Sequence, residues 1–137
     1  MVNGSMTMSA EIGLNLLVPH HRPVPLAASL CYSTDDPYAI RMAFHVGTDE
    51  PVEWIFARDL LAIGLEGPAG EGDAQVWPTE DADGEFLNIA LSSPLSDALF
   101  ETPREPTAAF LTRTYQVIAR GRESEYVDID GELDGLL

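Results

Sequence analysis

The chain is 137 residues long and strongly acidic, with 23 carboxylate side chains against 7 arginines and a formal net charge of −16. It contains no lysine, which excludes a P-loop phosphate clamp and Schiff-base chemistry. The charge weighs against nucleic acid as a partner, because phosphates attract basic surfaces and repel acidic ones, and it fits a basic protein partner better. The length predicts a single domain, placed at residues 9–137 after a disordered leader of residues 1–8.

Cys31 is the only cysteine, so no disulfide can form within the chain, which suits a reducing cytoplasm. It lies in the apolar run 26–32, which predicts a buried, small apolar side chain. No apolar run approaches the ~18 residues of a membrane span, and the N-terminus lacks the pattern of a secretory signal. We therefore expect a cytoplasmic protein without direct membrane insertion.

The first half of the chain reads as four strands followed by a helix. Alternating apolar residues predict a strand at 12–18, and β-forming runs predict strands at 26–32 and 38–46. Gly47 to Glu50 predict a tight turn into a fourth strand at 52–56.

A short helix follows that fourth strand with almost no loop. Gly64 is predicted to end it in the left-handed conformation that glycine tolerates, with Leu65 folding back on Leu61.

The second half repeats this order. Strands are predicted at 74–77, where Pro78 stops the run, at 86–92 and at 98–101. Thr102-Pro103-Arg104-Glu105 has the pattern of a capping box with proline at the first helical position, and predicts a long helix that ends at Gly121.

A last short helix is predicted at 130–137. The whole pattern indicates an α+β fold of antiparallel β-sheets with helices, in two strands-then-helix halves.

Patterns that superficially suggest metal or phosphate chemistry have plainer explanations. His20 and His21 are adjacent and would point to opposite sides of an extended segment, and His45 reads as a polar strand residue. The run 128–132 resembles a calcium loop, but the position that needs a glutamate is Leu137. The glycine-rich loop 67–73 follows a helix and lacks the lysine of a phosphate loop.

Other candidate residues also favour structure over catalysis. Ser92-Ser93 lacks the context of a nucleophile elbow. Trp54 and Trp77 flank apolar strand residues, which predicts core packing rather than base stacking. We therefore predict no enzyme activity, no catalytic residues, no cofactor and no metal site.

Several sequence blocks together resemble the SsgA-like proteins, the sporulation and cell-division regulators of filament-forming actinobacteria. The resemblance covers nearly the whole chain from about residue 9. The blocks, in order, are Asp36-Pro37-Tyr38-Ala39, Phe44-His45-x-Gly47, Val52-Glu53-Trp54-x-Phe56-Ala57-Arg58-Asp59-Leu60-Leu61, Gly72-Asp73-x-x-Val76-Trp77-Pro78, Ile89-Ala90-Leu91-Ser92-Ser93-Pro94 and Phe110-Leu111-x-Arg113-Thr114.

The resemblance implies a non-enzymatic regulator that acts at the division septum. Members of the family control septum placement and spore-wall maturation. The subtype that this chain resembles is implied to recruit the tubulin-like division GTPase FtsZ to septum sites, working with an SsgA-type regulator. The resemblance also implies a fold similar to the Whirly-type single-stranded nucleic-acid-binding proteins, and a homotrimer.

Two other classes of function remain open at this point. The fold analogy alone suggests a single-stranded nucleic-acid-binding regulator, although fold does not imply function. A small-ligand-binding domain is the weaker alternative. A positive groove beside exposed aromatic side chains would favour nucleic acid, whereas an acidic surface with an apolar patch would favour a protein partner.

Overall fold

The computed structural model describes residues 5–45 and 50–127, which form one seven-stranded antiparallel sheet and two α-helices. The described elements confirm the predicted α+β class and the order of strands then helix, twice. They are β1 (Thr7–Leu16), β2 (Val24–Ser33), β3 (Asp36–His45), β4 (Val52–Ala57), α1 (Arg58–Gly64), β5 (Ala74–Asp81), β6 (Gly84–Ser92), β7 (Asp97–Pro103), α2 (Arg104–Val117) and a 3₁₀ turn at Glu123–Tyr126.

The sheet consists of two meanders that meet at β1 and β7. Its strand order is β4-β3-β2-β1-β7-β6-β5. Strands β1 and β2 pair along their whole length, but β1 and β7 pair only at Asn15 with Glu101 and at Leu16 with Phe100. Strands β4 and β5 stand at the two ends of the strand order and are the edges of the sheet. Both helices pack on the same side of this sheet, α1 on β3 and β5 and α2 on β1 and β6.

Strand alternation produces the core. The buried strand residues mostly alternate with exposed or half-buried ones, as the period-2 pattern predicts, most clearly in β2 and β3. Helix α2 adds Phe110 and Leu111, and Ile118 just beyond its end is also buried. The buried strand residues include Ile12, Leu14, Leu30, Tyr32, Ile40, Met42, Phe44, Phe56, Val76, Leu87 and Ile89.

The first strand begins earlier than the sequence predicts. Thr7 and Met8, assigned above to a disordered leader, pair with Ser33 and Tyr32 of β2. The Met6 N–H also donates to Thr34 Oγ1 at 2.9 Å. This segment extends the strand because β2 offers its backbone groups for pairing. The predicted turn at 47–50 lies largely outside the described residues. The predicted helix at 130–137 and the run 128–132 lie wholly outside them.

Pro78 does not stop β5, as the sequence analysis predicted. The strand continues to Asp81, and Pro78 is paired in register with Leu87. Proline is tolerated here because β5 is an edge strand, where the missing N–H can face away from the sheet.

The predicted capping box of α2 does not form. Thr102 belongs to β7, and its hydroxyl donates to the Gly13 carbonyl at 2.7 Å instead of capping the helix. Pro103 is the N-cap residue and makes no side-chain cap. The helix also ends at Val117 rather than Gly121, which adopts φ 88° in the turn that follows.

Three residues predicted to be buried are only half-buried. Cys31 and Trp77 alternate with core residues and therefore lie on the outer face of the sheet. Trp54 faces the core side of β4 and packs against the core, but it remains partly exposed. The alternation of side chains along a strand decides which face of the sheet each residue lies on. How much of that face is covered depends on where the helices pack.

Gly64 is required for a different reason from the one predicted. It is not in the left-handed region, and the α1 cap is Leu65 with φ −69°, whose N–H donates to the Leu61 carbonyl at 3.1 Å. A Cβ on Gly64 would lie 2.4 Å from Cγ1 of Val76. Glycine therefore allows α1 to approach β5 closely enough to seal the core.

We expect Gly64→Ala to destabilise the fold by about 1–3 kcal/mol, because the added methyl overlaps Val76 in a packed interior. This overlap outweighs the modest helix-propensity gain of alanine. Denaturant unfolding monitored by circular dichroism measures the change. Gly13→Ala is the matched control, since a Cβ there meets no atom within 4 Å. Equal stability of the two variants would contradict the close-approach explanation.

Candidate partner-binding surfaces

The residue patterns considered for chemistry do not assemble into a reactive site among the described residues. His21 is exposed, His20 has φ 65° in the turn before β2, and His45 Nε2 lies 3.1 Å from Ser29 Oγ on the outer face. Within residues 5–45 and 50–127, no three His, Cys, Asp or Glu side chains are grouped as metal ligands. None of the described helices is long and apolar enough to cross a membrane.

The interior instead contains a buried arginine that the sequence analysis did not single out. Arg58 is the first residue of α1 and is fully buried. Its Nη1 donates to the Thr114 and Ile118 carbonyls at 3.2 and 2.8 Å. Its Nη2 donates to Glu123 Oε2 at 3.0 Å. Arg58 therefore ties the end of β4 to the end of α2 and to the 3₁₀ turn.

Two tyrosines enclose the Arg58 guanidinium. Its central carbon lies 5.0 Å from the ring centre of Tyr32 and 4.1 Å from that of Tyr115, within cation–π range. Burial raises the pKa of Tyr32 to about 12 despite the nearby positive charge. Burial also raises the pKa of Tyr115, whose hydroxyl donates to Asp59 Oδ1 at 2.7 Å. Both phenols therefore stay neutral at physiological pH.

Glu123 provides the opposite charge. Its carboxylate accepts from Arg58 and from the Gly121 N–H at 2.8 Å. Hydrogen bonds from its own backbone N–H, from Arg58 and from Gly121 lower the pKa of Glu123, against the opposing effect of desolvation. A buried ion pair of this kind is costly to break, because the remaining partner is left charged and unpaired.

The two edges of the sheet are protected to different degrees. Edge β5 contains Pro78 and charged residues towards its end, and Ala69 pairs with Val76 through two backbone hydrogen bonds of 2.8 and 2.9 Å. Proline, charge and a covering loop are all known protections against unwanted strand pairing. Edge β4 has Pro51 directly before it and Glu53 on it, but no loop covers it among the described residues, and Ile55 on it is 58% exposed. We call β4 the open edge.

A second uncovered surface is an apolar pocket at one end of the sheet, next to the ends of β1 and β3 and the loop that precedes β7. We call it the rim pocket. Its volume is about 390 Å³, and its floor includes Phe44 and Phe100, which stack with ring centres 4.6 Å apart. The other large apolar side chains that line it are Leu16, Leu26, Val52, Trp54 and Leu91. The pocket explains why Trp54 is only half-buried.

These features describe an α+β domain with two uncovered apolar surfaces on a strongly acidic chain. The sequence matches the family model described as Streptomyces sporulation and cell division protein, SsgA, over residues 26–123. The chain therefore belongs to the SsgA family, which confirms the resemblance inferred from its sequence blocks.

Relatives within the family support the SsgB type. A sporulation-specific cell division protein SsgB of Thermobifida fusca is 53% identical over 133 residues, 97% of this chain and 96% of that protein. The crystal structure of an SsgA-like sporulation-specific cell division protein from Thermobifida fusca matches with a TM-score of 0.89 and 52% identity, and covers 100% of both chains.

A further solved structure comes from work that links mutations in SsgB to longitudinal cell division during sporulation of Streptomyces coelicolor. It matches with a TM-score of 0.87 and 43% identity, and covers 92% of this chain and 99% of that one. The likeness to Whirly-type proteins stays a prediction.

We predict that Glu123→Gln destabilises the protein at neutral pH and that this difference shrinks in acid. The folded-state pKa of Glu123 is lowered from its ordinary value of 4.5. Its ionised form therefore contributes stability above pH 4.5, and the contribution is lost as pH falls through the lower folded-state value. Thermal melts of both proteins over a pH series measure the difference.

Glu125→Gln is the matched control for that experiment. Glu125 also pairs with an arginine, Arg122, but both side chains are exposed, and exposed pairs add little stability. If Glu125→Gln costs as much as Glu123→Gln at neutral pH, burial of the Arg58 pair is not the cause.

Proposed function

We propose that this protein is a non-enzymatic adaptor of sporulation-specific cell division, which marks septum sites and recruits FtsZ. It works there with an SsgA-type regulator, as a homotrimer in the cytoplasm. The relatives named SsgB support the division role, and an adaptor needs a contact surface rather than a reactive site.

The open edge is the observation that carries this proposal. An unpaired strand offers a row of backbone donors and acceptors to an extended segment of another protein. Ile55 gives this edge an exposed apolar side chain. An exposed ion pair of 3.7 Å joins Arg41 of β3 to Glu53 of β4 beside it. The buried Arg58 directly after β4 holds the end of the edge in place. Strand addition at β4 is therefore the contact that we assign to FtsZ.

We predict that the purified protein co-sediments with polymerised FtsZ and that Ile55→Lys weakens binding roughly tenfold or more, as loss of a buried apolar contact does at interface centres. Met6→Lys is the control, since Met6 is also exposed and the charge change is the same. Absence of co-sedimentation by the parent protein would reject FtsZ recruitment. Unchanged binding by Ile55→Lys would instead move the contact away from the open edge.

The septum role requires a separate observation in cells. A fluorescent fusion should appear at future division sites in sporulating filaments before FtsZ does, and the Ile55→Lys fusion should appear there without FtsZ. A fusion that arrives only after FtsZ would contradict recruitment by this protein.

We predict no appreciable binding to single-stranded DNA or RNA at physiological salt. Of the 7 arginines, Arg58 is buried, and Arg41, Arg104, Arg120 and Arg122 are paired with carboxylates. A phosphate backbone would have to displace those carboxylates. A gel-shift assay with labelled oligonucleotides over a salt series tests this, and a salt-dependent micromolar complex would revive the nucleic-acid alternative.

A further inference from the structure

The loop between β6 and β7 presents one apolar side chain almost entirely to solvent. Ser93-Pro94-Leu95-Ser96 form a closed turn, in which the Ser93 N–H donates to the Ser96 carbonyl at 2.9 Å and the Ser96 N–H donates to Ser93 Oγ at 3.2 Å. The Ser93 hydroxyl donates to the same carbonyl at 3.0 Å. Leu95 at the tip is 95% exposed. A turn closed in this way loses little conformational entropy when its tip side chain is buried by a partner.

This turn lies directly beside the rim pocket. Ser93 and Ser96 both line the pocket, whereas Leu95 between them is not among its lining residues. The pocket therefore stays open in the isolated chain, although an apolar side chain of suitable size is next to it. When copies of one chain meet head to tail, the protrusion of one copy can fill the cavity of the next, and such contacts close into a symmetric ring when the rotation between copies allows it.

The charges around the pocket also fit a second copy. All the residues that line the pocket are uncharged, although the chain carries −16, so copies that meet here bring few charges close together. Three exposed charged residues are close in sequence to residues that line the pocket. They are Arg22 before β2, Glu50 before β4 and Asp97 at the start of β7. None of these three forms an ion pair within the described part of the chain. Arg22 of one copy is therefore available to a carboxylate of the next.

We propose that the rim pocket of one chain receives Leu95 of a second copy, so that copies of this protein associate through their pocket ends. The inference rests on the self-association included in the proposed function, and it adds the contact that holds the copies together. Val52 and Trp54 of β4 line the pocket, whereas Ile55 on the outer face of β4 does not, so the Ile55 side of the open edge lies outside this contact.

The first test is the mass of the protein in solution. Light scattering over a concentration series should give a multiple of the chain mass, and added salt should favour association because it screens repulsion between acidic copies. Leu95→Ser should raise the concentration needed for association roughly tenfold or more. Val52→Arg, which places a charge in the pocket, should do the same. Met6→Ser is the control for loss of an exposed apolar side chain and should leave association unchanged.

The second test is covalent trapping of the contact. In a Cys31→Ser background, chains with both Leu95→Cys and Val52→Cys should form disulfide-linked multimers under mild oxidation. The matched control combines Leu95→Cys with Ile55→Cys, because Ile55 is exposed on the same strand but on its outer face, and should give few multimers. Equal cross-linking of the two pairs, or a disulfide within one chain, would overturn the assigned contact.

The outcomes separate this inference from the proposed function. A single-chain mass at every concentration and salt level would reject self-association and this contact, but not FtsZ recruitment. An assembly that Leu95→Ser and Val52→Arg leave intact would reject this contact and keep the trimer. If the two variants instead lose FtsZ binding without a change in mass, the pocket receives a segment of FtsZ, and the second copy is the wrong occupant.

Discussion

The burial of Arg58 is the constraint on which the rest of the structure depends. A guanidinium removed from water is costly unless its charge is paired and most of its N–H groups are hydrogen-bonded. Both terminal nitrogens of Arg58 find partners, whereas its Nε has none among the described residues. Those partners are two carbonyls at the end of α2, the Glu123 carboxylate and the faces of two tyrosines. Apart from Tyr32, they lie more than fifty residues after Arg58 in the chain, so the Arg58 cluster brings the two strands-then-helix halves together.

The Arg58 cluster adds contacts between the two halves of the sheet, which are joined by little strand pairing. Strands β1 and β7 join the two meanders through two residue pairs only, so side-chain contacts and the packed helices supply much of what holds the halves together. Arg58 joins α1 of the first half to α2 of the second. Gly64 lets α1 approach β5 closely. The two halves thus act as one unit because of side-chain packing above the sheet more than because of continuous strand pairing.

The surfaces left uncovered are a consequence of the same arrangement. Two helices cannot cover a sheet of seven strands, so the rim pocket remains at the end that they do not reach. Among the described elements, β4 is also the edge that no loop covers. Two adjoining apolar surfaces on one acidic chain offer contacts to other proteins, which is what an adaptor requires. Acidity elsewhere keeps other contacts weak.

The sequence alone determined the order of elements, the alternating faces of the strands, the acidic character and the family. These depend on local periodicity and on residue order, which a single chain displays directly. Only the tertiary structure decided that Pro78 could lie within a strand, because edge position is a property of the assembled sheet. The same holds for Thr102, whose hydroxyl prefers a carbonyl of β1 to the helix end, and for Cys31, Trp54 and Trp77, whose exposure depends on where the helices pack. Arg58 is the clearest case: in the sequence it is one arginine among seven, and its burial became visible only when residues distant in the chain supplied its partners.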